Sequence, residues 1–414
     1  MFLTNQEMEL LKGTKDVTPR EQIVKARVMS VIRKYFRKYG FAPLQTPVIE
    51  RKETLISKYA GGEEILKEIY SLKDQGKRDL ALRFDLTVPL ARFVTQNPNI
   101  KKPFKRYQIG QVFRDGPVKT GRFREFTQCD ADVVGSKDLY TEAELLRLAS
   151  DVFEELGLDY EIKINNRELL NEIMTKESVK DSESFILSLD KIDKIGREGV
   201  IKELKNKDFS EEQILNCLNW INKDLESLKF FESTKKLKEL FYYLDKYGVK
   251  YVFSPSLARG LSYYTGTIYE VFLKNNDVKS SVAAGGRYDD MITNYSKRDN
   301  PAVGISFGLD AICSALPKED KETLTDLFII SIDEFEEAMK VASELRKYFN
   351  VEVNLPSKNL KKGMEYCNSK KIPYAIIIGS EEVKKRKYTL RNMKTGKEQK
   401  LSLKELTQKK ILNY

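Results

Sequence analysis

Apolar residues near the start of the chain recur at the three- and four-residue spacing of an α-helix. The positions that keep this spacing are Ile23, Ala26, Met29, Ile32 and Phe36. Thr18 can cap such a helix, Pro19 suits its first turn, and Glu21 completes a capping box. The pattern therefore predicts a helix from Pro19 to about Lys38.

Shorter runs with β-strand character follow between Ile69 and Gly135. They read IYSLK, LALRFD, KRYQIGQVFR and REFTQCDADVV, and one helical piece, TVPLARFVTQ, lies among them. A helix from Leu139 to Leu156 and a strand from Tyr160 to Ile164 are predicted next. Strands that follow one another in this way are typical of an antiparallel sheet with helices, not of repeated βαβ units. The predicted fold class is therefore α+β.

The next eighty-odd residues have a different character, because they are mostly charged, amphipathic and helical. The segment SEEQILNCLNWINKDLESLKFF is an example. Strand signals return at KYVFSPSLARGLSYYTG and continue through KSSVAAGGRYDDMI and NPAVGISFGLDAICSAL. We therefore predict one β-rich domain, residues 1–165 and 248–318, that is split by a helical insertion at 166–247.

The last ninety residues alternate between strand and helix after a polar linker, PKEDKETLT. Strands are predicted at 326–332, at VEV and at YAIIIGS, with helices at 334–349 and KNLKKGMEYCNSKK between them. A further strand and turn are predicted around Thr395 and Gly396. This alternation predicts a second domain, residues 326–414, of α/β type with a largely parallel sheet.

Composition excludes several classes of chemistry. The chain has no histidine, which removes Ser-His-Asp and Cys-His nucleophiles and every metal site that needs histidine. Its four cysteines lie far apart with no C-x-x-C pair, so we predict reduced thiols and no protein metal site. Neither a signal peptide nor an apolar run of membrane-spanning length is apparent, and we expect a cytoplasmic protein without membrane contact.

The net charge of +10 is concentrated at one end of the chain. Residues 358–414 contain 16 Lys and Arg against 5 Asp and Glu, or +11, so the other 357 residues sum to −1. Two interpretations remain open from charge alone. The excess is either a solvated lysine-rich face or a binding surface for a polyanion such as RNA.

Arginines are the candidates for phosphate binding, because the chain lacks both the P-loop motif and a G-x-G-x-x-G motif after a strand. Several begin or end apolar runs, where a guanidinium needs an anionic partner. Pairing with nearby aspartates or glutamates is one explanation, and a shared anionic ligand is the one we favour for the set. The candidates are Arg83, Arg114, Arg122, Arg124, Arg259 and Arg287.

Five segments together form a specific pattern, namely GTKDVTP, LRFDLTVP, KRYQIGQVFRDGPVKTGRFREFTQCDADVVG, LARGLSYYTGTIYE and AAGGRYDD. In this order they resemble the histidyl-tRNA synthetases, a family of class II aminoacyl-tRNA synthetases. The resemblance runs from about residue 10 to the end of the chain. It implies an α+β fold, with a class II antiparallel β-sheet catalytic domain, a helical insertion and a C-terminal α/β anticodon-binding domain.

The resemblance also implies an activity. A histidine–tRNA ligase activates L-histidine with ATP, releases pyrophosphate and transfers histidine to the 3′ end of tRNA(His). Asp132 and Tyr264 match residues that contact the two imidazole nitrogens, and Asp85 and Thr87 match residues that hold the α-amino group. The full set of histidine-binding residues implied is Asp85, Leu86, Thr87, Gln128, Asp132, Tyr263 and Tyr264.

For ATP, the resemblance implies Arg114, Arg122 and Arg259, of which Arg114 and Arg259 are the catalytic pair at the α-phosphate. Mg²⁺ would bridge the β- and γ-phosphates, and relatives of this kind are homodimers. The chain departs from the family pattern at Ser262, where aspartate is expected, and at Ala311, where an arginine usually covers the adenine. An alternative is therefore a non-catalytic paralogue that senses histidine or binds tRNA.

Overall fold

The computed structural model describes residues 9–56, 67–118, 123–259, 263–317, 322–354 and 359–408. The chain divides into two compact units. One contains residues 1–15 and 27–316, and the other contains 16–26 and 317–414. The predicted boundaries of the catalytic domain, the insertion and the C-terminal domain stay predictions.

The first unit contains an eight-stranded sheet in the order β1-β5-β6-β11-β10-β9-β7-β8. Its two outermost pairs, β1 with β5 and β7 with β8, are parallel, and all the inner pairs are antiparallel. The predicted antiparallel sheet is confirmed. The strands are β1 (Ala42–Pro43), β5 (Phe104–Phe113), β6 (Glu125–Val134), β7 (Tyr160–Asn166), β8 (Tyr251–Phe253), β9 (Thr267–Leu273), β10 (Ala283–Arg287) and β11 (Ala302–Gly308).

A small sheet of three antiparallel strands accompanies it, in the order β2-β4-β3. Its members are β2 (Ile49–Arg51), β3 (Ser71–Lys73) and β4 (Asp79–Leu82). Helix α1 (Pro19–Lys38) belongs to the first unit from residue 27 onward. The other helices of the first unit outside the inserted segment are α2 (Lys52–Leu55), α3 (Thr87–Gln96), α4 (Tyr140–Glu155), α10 (Asp289–Ser296) and α11 (Leu309–Ala315).

Helix α1 begins where the sequence predicts. The Thr18 hydroxyl accepts from the Glu21 N–H, while the Glu21 carboxylate accepts from the Thr18 N–H at 3.0 Å, so the capping box is confirmed. The ring of Phe36 lies 5.9 Å from that of Phe307, and Phe153 of α4 lies 5.8 Å from the same ring. These helices thus cover one face of the large sheet.

Between β7 and β8 the chain forms five helices, as the amphipathic pattern predicts. They are α5 (Arg167–Lys176), α6 (Ser182–Leu189), α7 (Ile192–Lys205), α8 (Glu211–Trp220) and α9 (Ser233–Tyr247). Strand β8 then returns to the edge of the same sheet beside β7. The helical segment therefore interrupts a single sheet. None of the helices in the described ranges is both long and apolar enough to cross a membrane.

The second unit contains a five-stranded sheet in the order β13-β12-β14-β15-β16. Its strands are β12 (Leu327–Ser331), β13 (Val351–Val353), β14 (Tyr374–Ile378), β15 (Tyr388–Asn392) and β16 (Glu398–Leu401). The associated helices are α12 (Phe335–Leu345), α13 (Leu360–Ser369), α14 (Ser380–Lys385) and α15 (Leu403–Gln408). Apolar side chains cover both faces, with Ile329 and Ile376 on one and Phe328 and Ala375 on the other.

The prediction of a largely parallel sheet was wrong for half of this sheet. Strands β13, β12 and β14 are parallel, but β14, β15 and β16 are antiparallel. A parallel crossover needs a dozen or more residues. The connections at 379–387 and 393–397 are too short for that, and Gly396, with φ of 72°, makes the second turn.

Candidate active site

One face of the large sheet carries polar side chains at alternate positions. On β6, Gln128, Asp130 and Asp132 point away from the helix-covered face, because side chains alternate along a strand. The register places Arg106 of β5 and Gly304 of β11 directly beside Asp132. A band of polar groups therefore runs across the middle of the sheet, opposite α1 and α4.

At the centre of this band Asp132 and Arg106 form a buried ion pair. The Arg106 Nη2 atom lies 2.7 Å from the Asp132 Oδ2 atom, and the arginine side chain is 0% exposed. The Tyr288 hydroxyl donates to Asp132 Oδ1. Burial raises the pKa of Asp132, and the guanidinium opposes that effect. Asp132, the predicted acceptor for the imidazole, is thus held by Arg106 and Tyr288, which are both far from it in the sequence.

The ion pair is incompletely hydrogen-bonded. Asp132 Oδ2, Arg106 Nε and Arg106 Nη1 are buried and make no hydrogen bond within the described residues, since the close contact is poorly aligned. Buried polar atoms without partners are costly. A polar ligand could therefore gain hydrogen bonds here.

Glycines provide room beside these side chains. A Cβ atom at Gly304 would lie 2.0 Å from Asp132 Oδ1, and one at Gly286 would lie 2.9 Å from the Tyr264 ring. Both approaches are shorter than real Cβ contacts. The glycines of the AAGGRYDD and NPAVGIS segments thus allow Asp132 and Tyr264 to occupy this space.

Tyrosines form a wall next to the ion pair. The ring centroid of Tyr263 lies 4.7 Å from that of Tyr264 and 5.9 Å from that of Tyr288. Burial raises the pKa of Tyr263 and of Tyr288 well above the ordinary value, so both stay neutral hydroxyls near pH 7. The predicted pair Tyr263 and Tyr264 therefore lies in the same place as Asp132.

The start of α3 supplies the next predicted group. The Asp85 carboxylate accepts from the Val88 N–H at 3.1 Å, and burial raises the pKa of Asp85 to about 6. Thr87 is the first residue of the helix. Leu86 is buried and takes part through its backbone, whose carbonyl accepts from Arg106 Nη2 at 3.1 Å. These residues are tied to the Asp132 cluster through Arg106.

Gln128 lies on the same face of the sheet as Asp130, two residues before it on β6. Its Nε2 atom donates to the Ser306 hydroxyl of β11 at 2.7 Å. Its Oε1 atom is buried and makes no hydrogen bond within the described part of the chain. The amide therefore offers an acceptor to a ligand with N–H groups.

The two predicted catalytic arginines are fixed in different ways. Arg114 donates from Nε to the Phe84 carbonyl at 3.1 Å, and its guanidinium lies 5.2 Å from the centroid of the Phe126 ring. Arg259 pairs with Glu270 of β9 and lies 5.6 Å from the centroid of the Tyr264 ring. Burial opposes the charge of Arg259, but Tyr264 and Glu270 outweigh it and raise the pKa. Both arginines are therefore held as cations.

One buried side chain holds the segment that carries Arg259 by donating hydrogen bonds to two of its backbone carbonyls. Asn165 at the end of β7 donates from Nδ2 to the carbonyls of Pro255 and Leu257, at 2.9 and 2.8 Å. This contact fixes the backbone of the segment just before Arg259. Arg122, predicted to bind ATP, and Ser262 lie outside the described residues.

The other arginine candidates have internal partners. Arg83 donates to the carbonyls of Thr46 and Gln111, each at 2.8 Å. Arg287 pairs with Glu142 at 2.6 Å, and Arg124 with Asp115 at 3.0 Å. For these three, internal pairing is the better explanation.

Sequence reasoning missed three members of the site, namely Arg106, Tyr288 and Glu270. Arg106 had only a weak signal, because β5 also contains Lys105, Gln108 and Gln111 and the charge of Arg106 does not stand out there. Glu270 had a clearer signal, because it is the one charged residue of the mainly apolar strand β9. Nothing local in the sequence indicated the pairing of Tyr288 with Asp132, which lies 156 residues away.

Ala311 leaves the adenine side of the predicted site without its usual arginine. It lies in α11, and the preceding Asp310 accepts from the Thr127 N–H at 3.0 Å.

In the described ranges no three cysteine or acidic side chains gather as metal ligands. The site can thus bind amino and N–H groups with carboxylates, and phosphates with Arg114 and Arg259. These are means of positioning and charge neutralisation.

Comparison with known proteins agrees with this geometry. Residues 13–312 match the family described as Histidyl-tRNA synthetase, and residues 326–412 match the family described as Anticodon binding domain. Histidine–tRNA ligase 1 of Bacillus thuringiensis subsp. konkukian is 45% identical over 422 residues, which cover 97% of this chain and 99% of the relative.

Solved structures agree on the fold. Histidyl-tRNA synthetase from Nostoc sp. PCC 7120 matches with a TM-score of 0.84 and 28% identity, over 96% of this chain and 98% of the other. An ATP phosphoribosyltransferase regulatory subunit/histidyl-tRNA synthetase from Bacillus halodurans C matches with a TM-score of 0.75 and 19% identity, over 90% and 98%, which shows the fold alone. The family match and the curated relative together show that this chain belongs to the histidyl-tRNA synthetase family.

Proposed function

We propose that this chain is a histidine–tRNA ligase, which forms histidyl-adenylate and pyrophosphate from L-histidine and ATP and then transfers histidine to tRNA(His). The observation that carries the proposal is the buried Asp132 carboxylate, fixed by Arg106 and Tyr288 beside Tyr264. A fixed acceptor and a hydroxyl donor suit the N–H and the bare nitrogen of a neutral imidazole. An amino acid of similar shape that lacks these nitrogens would leave the acceptor and the donor without a partner on the ligand.

The remaining histidine contacts follow from the same arrangement. Asp85 and Thr87 would hold the α-ammonium at the start of α3, with the Leu86 backbone linking them to Arg106. Gln128 would offer its free Oε1 to the same group. Tyr263 would cover the ring as part of the tyrosine wall.

For ATP, we propose that Arg114 and Arg259 stand on either side of the α-phosphate and stabilise the charge of the transition state, with Arg122 as a further phosphate ligand. The histidine carboxylate attacks the α-phosphorus and pyrophosphate leaves, so the chain needs no catalytic histidine. Mg²⁺ would be held by the phosphates of ATP and would neutralise their charge.

The C-terminal unit supports a role for tRNA. Residues 326–412 match an anticodon binding domain, and residues 358–414 carry a net charge of +11. We propose that these lysines and arginines contact the phosphate backbone of tRNA. We also propose a homodimer and a cytoplasmic location, both of which rest on the family.

A second candidate is a paralogue that binds histidine without activating it. Ala311 favours this alternative, because it removes a cation that usually covers the adenine face. The intact Arg114 and Arg259 favour catalysis. The two functions differ in one reaction, the histidine-dependent exchange of pyrophosphate into ATP.

The test measures ATP–pyrophosphate exchange by the purified full chain with Mg²⁺, with and without L-histidine. We expect exchange only with histidine, and a loss of about 100- to 1000-fold in Arg259→Ala. Arg391→Ala is the matched control, because Arg391 also pairs with a glutamate across two strands but lies exposed in the C-terminal sheet. Histidine binding without exchange would establish the paralogue instead.

A further inference from the structure

Arg83 is a buried arginine whose hydrogen bonds go to backbone carbonyls. It is 3% exposed, and its guanidinium donates to three carbonyl oxygens. Burial lowers the pKa of Arg83, while the carboxylates of Asp130, Glu50 and Asp85 oppose that shift. A buried charge is expensive even where other groups compensate it. Stability alone therefore does not explain an arginine at this position.

The guanidinium of Arg83 joins two segments that are far apart in the chain. Its Nη1 atom donates to the Thr46 carbonyl at 2.8 Å and to the Pro47 carbonyl at 3.3 Å. Its Nε atom donates to the Gln111 carbonyl of β5 at 2.8 Å. The donors of an arginine are held in a rigid planar fork, whereas a lysine offers one flexible point of charge. These hydrogen bonds therefore fix the end of β5 relative to the segment at Thr46.

Strand β5 has a glycine where this guanidinium lies against it. A Cβ atom at Gly110 would lie 2.5 Å from Arg83 Nη2, which is shorter than real Cβ contacts. The guanidinium could move aside only by giving up hydrogen bonds to the carbonyls, and buried donors without acceptors are costly. The glycine next to Gln111 thus makes room for Arg83 at the point where Arg83 holds the strand.

The end of β5 that Arg83 holds leads directly to Arg114. The Phe113 N–H donates to the Arg83 carbonyl at 3.0 Å, and Arg114 donates from Nε to the Phe84 carbonyl at 3.1 Å. Together with the bond from Arg83 Nε, these contacts hold residues 111–114 at three points. The place of Arg114 therefore depends on where the Arg83 side chain holds β5.

We propose that Arg83 is a positioning residue, which sets the place of Arg114 relative to bound histidine and so controls the rate of adenylate formation. The proposal rests on the proposed function, because it takes Arg114 as a ligand of the α-phosphate. Asp85 has a hydrogen bond of its own from the Val88 N–H at 3.1 Å, so the ammonium subsite does not depend on the Arg83 side chain. Arg83 therefore acts on the chemical step and not on the affinity for histidine.

The experiment measures adenylate formation by the full chain in a single turnover, with L-histidine, ATP, Mg²⁺ and a pyrophosphatase. The amplitude counts correctly folded sites, and the rate constant reports the chemical step. Arg83→Lys keeps the charge but loses the planar fork. We expect an unchanged amplitude and a rate constant about 100-fold lower, since a misplacement of about 1 Å can cost that much. The dissociation constant for L-histidine, measured by calorimetry, should not change.

Arg92→Lys is the matched control. Arg92 lies in α3 and also uses a planar fork, but its two hydrogen bonds at 3.0 and 2.8 Å go to Glu50 of β2. We expect this variant to keep the wild-type rate constant. Gly110→Ala is a second test, because it displaces the Arg83 guanidinium without removing it. It should lower the rate constant in the same way as Arg83→Lys, by a smaller factor.

A double variant tests whether Arg83 acts through Arg114. Arg114→Ala alone should lower the rate constant by about 100- to 1000-fold. Adding Arg83→Lys should then lower it no further, because the side chain that Arg83 positions is gone. Losses that multiply in the double variant would mean that the two arginines act independently, and the inference would be wrong.

Other outcomes would also overturn the inference. A lower amplitude with a wild-type rate constant in Arg83→Lys and Gly110→Ala would show a merely structural role, and so would an equal loss of rate in Arg92→Lys. Binding of L-histidine that weakens as much as the rate falls would place Arg83 in the ammonium subsite instead. Wild-type protein that forms no adenylate would overturn the proposed function together with this inference. Wild-type and Arg83→Lys proteins that form it equally fast would overturn the inference alone.

Discussion

The two larger sheets of the chain bury different kinds of polar side chain. In the described residues of the first unit, the buried charged side chains include Arg83, Asp85, Arg106, Asp130, Asp132, Glu142 and Arg287. The buried polar side chains of the C-terminal unit are neutral there, namely Ser331, Asn354 and Thr389. Burial of charge is expensive unless it is paired. The large sheet therefore buries charged groups at and around the proposed ligand site, whereas the C-terminal sheet is an apolar scaffold with its charges outside.

The largest expected effect is on the buried ion pair. Arg106→Met leaves Asp132 as an unpaired buried carboxylate and should destabilise the large sheet by about 3–5 kcal/mol. Arg391→Met in the C-terminal sheet removes an exposed pair with Glu398 and should cost less than about 1 kcal/mol. Hydrogen exchange, read on peptides from β5–β6 and from β14–β15, measures each loss in its own sheet.

A double variant sharpens this result. Arg106→Met with Asp132→Leu removes both charges and should regain most of the lost stability, because a well-packed apolar pair replaces a buried ion pair at little cost. It should not regain histidine-dependent exchange. Similar losses for Arg106→Met and Arg391→Met would contradict the distinction between the two sheets.

Alanine substitution of one glycine in each unit, Gly304 and Gly363, gives a second and smaller difference in stability. Gly304→Ala would place a Cβ atom 2.0 Å from Asp132 Oδ1 and 3.0 Å from the Ala131 carbonyl, so we expect a loss of about 1–3 kcal/mol and of histidine binding. Gly363→Ala in α13 would meet only side-chain atoms of Ile330, at 3.0 to 3.1 Å. Alanine also favours a helix by about 1 kcal/mol.

We therefore expect a net change within about 1 kcal/mol for Gly363→Ala. Thermal unfolding and calorimetric titration with L-histidine measure the two effects. A Gly304→Ala variant that binds histidine as the wild type does would show that the space beside Asp132 is not needed.

Helices and strands with a clear hydrophobic period were predictable from the sequence. The direction of a strand was not predictable where it depends on the length of the connecting segment. Helix α1 was predicted from its capping box and apolar stripe, and its limits, Pro19–Lys38, are confirmed. The direction of β15 was not predicted, because it depends on how many residues lie between it and β14. Local spacing reports which face of an element is buried, but not which partner covers it.

The site shows the same limit. The resemblance selected Asp132 and Tyr264, and the fold brings both to one place beside Tyr288. Arg106 and Ser306 belong to the site only because β5, β6 and β11 are in a particular register. Cross-strand register joins residues that are far apart in the chain, so reading the sequence locally could not find these neighbours.

The smallest expected effect is a different response of the two sheets to a change of pH from 8 to 6. In the large sheet, burial raises the pKa of Asp85 to about 6 and that of Asp130 to about 7. The folded state therefore binds more protons than the unfolded state between pH 4 and pH 7, and stability falls as pH rises through that window. In the C-terminal sheet, burial opposes the ionised form of Glu382, but hydrogen bonds from Thr389 and the Gly379 N–H lower its pKa overall.

Glu382 therefore contributes stability that is present above its ordinary pKa and is lost only as pH falls below it. Lowering the pH from 8 to 6 should thus increase protection of β6 by about 1 kcal/mol and leave β14–β15 unchanged. The measurement is hydrogen exchange at both pH values, corrected for the intrinsic exchange rate. Asp130→Asn, which cannot titrate, should lose most of the gain in β6. If protection of β6 fell on acidification, the pKa values of its carboxylates would be lowered by folding and not raised. The contrast between the two sheets would then fail.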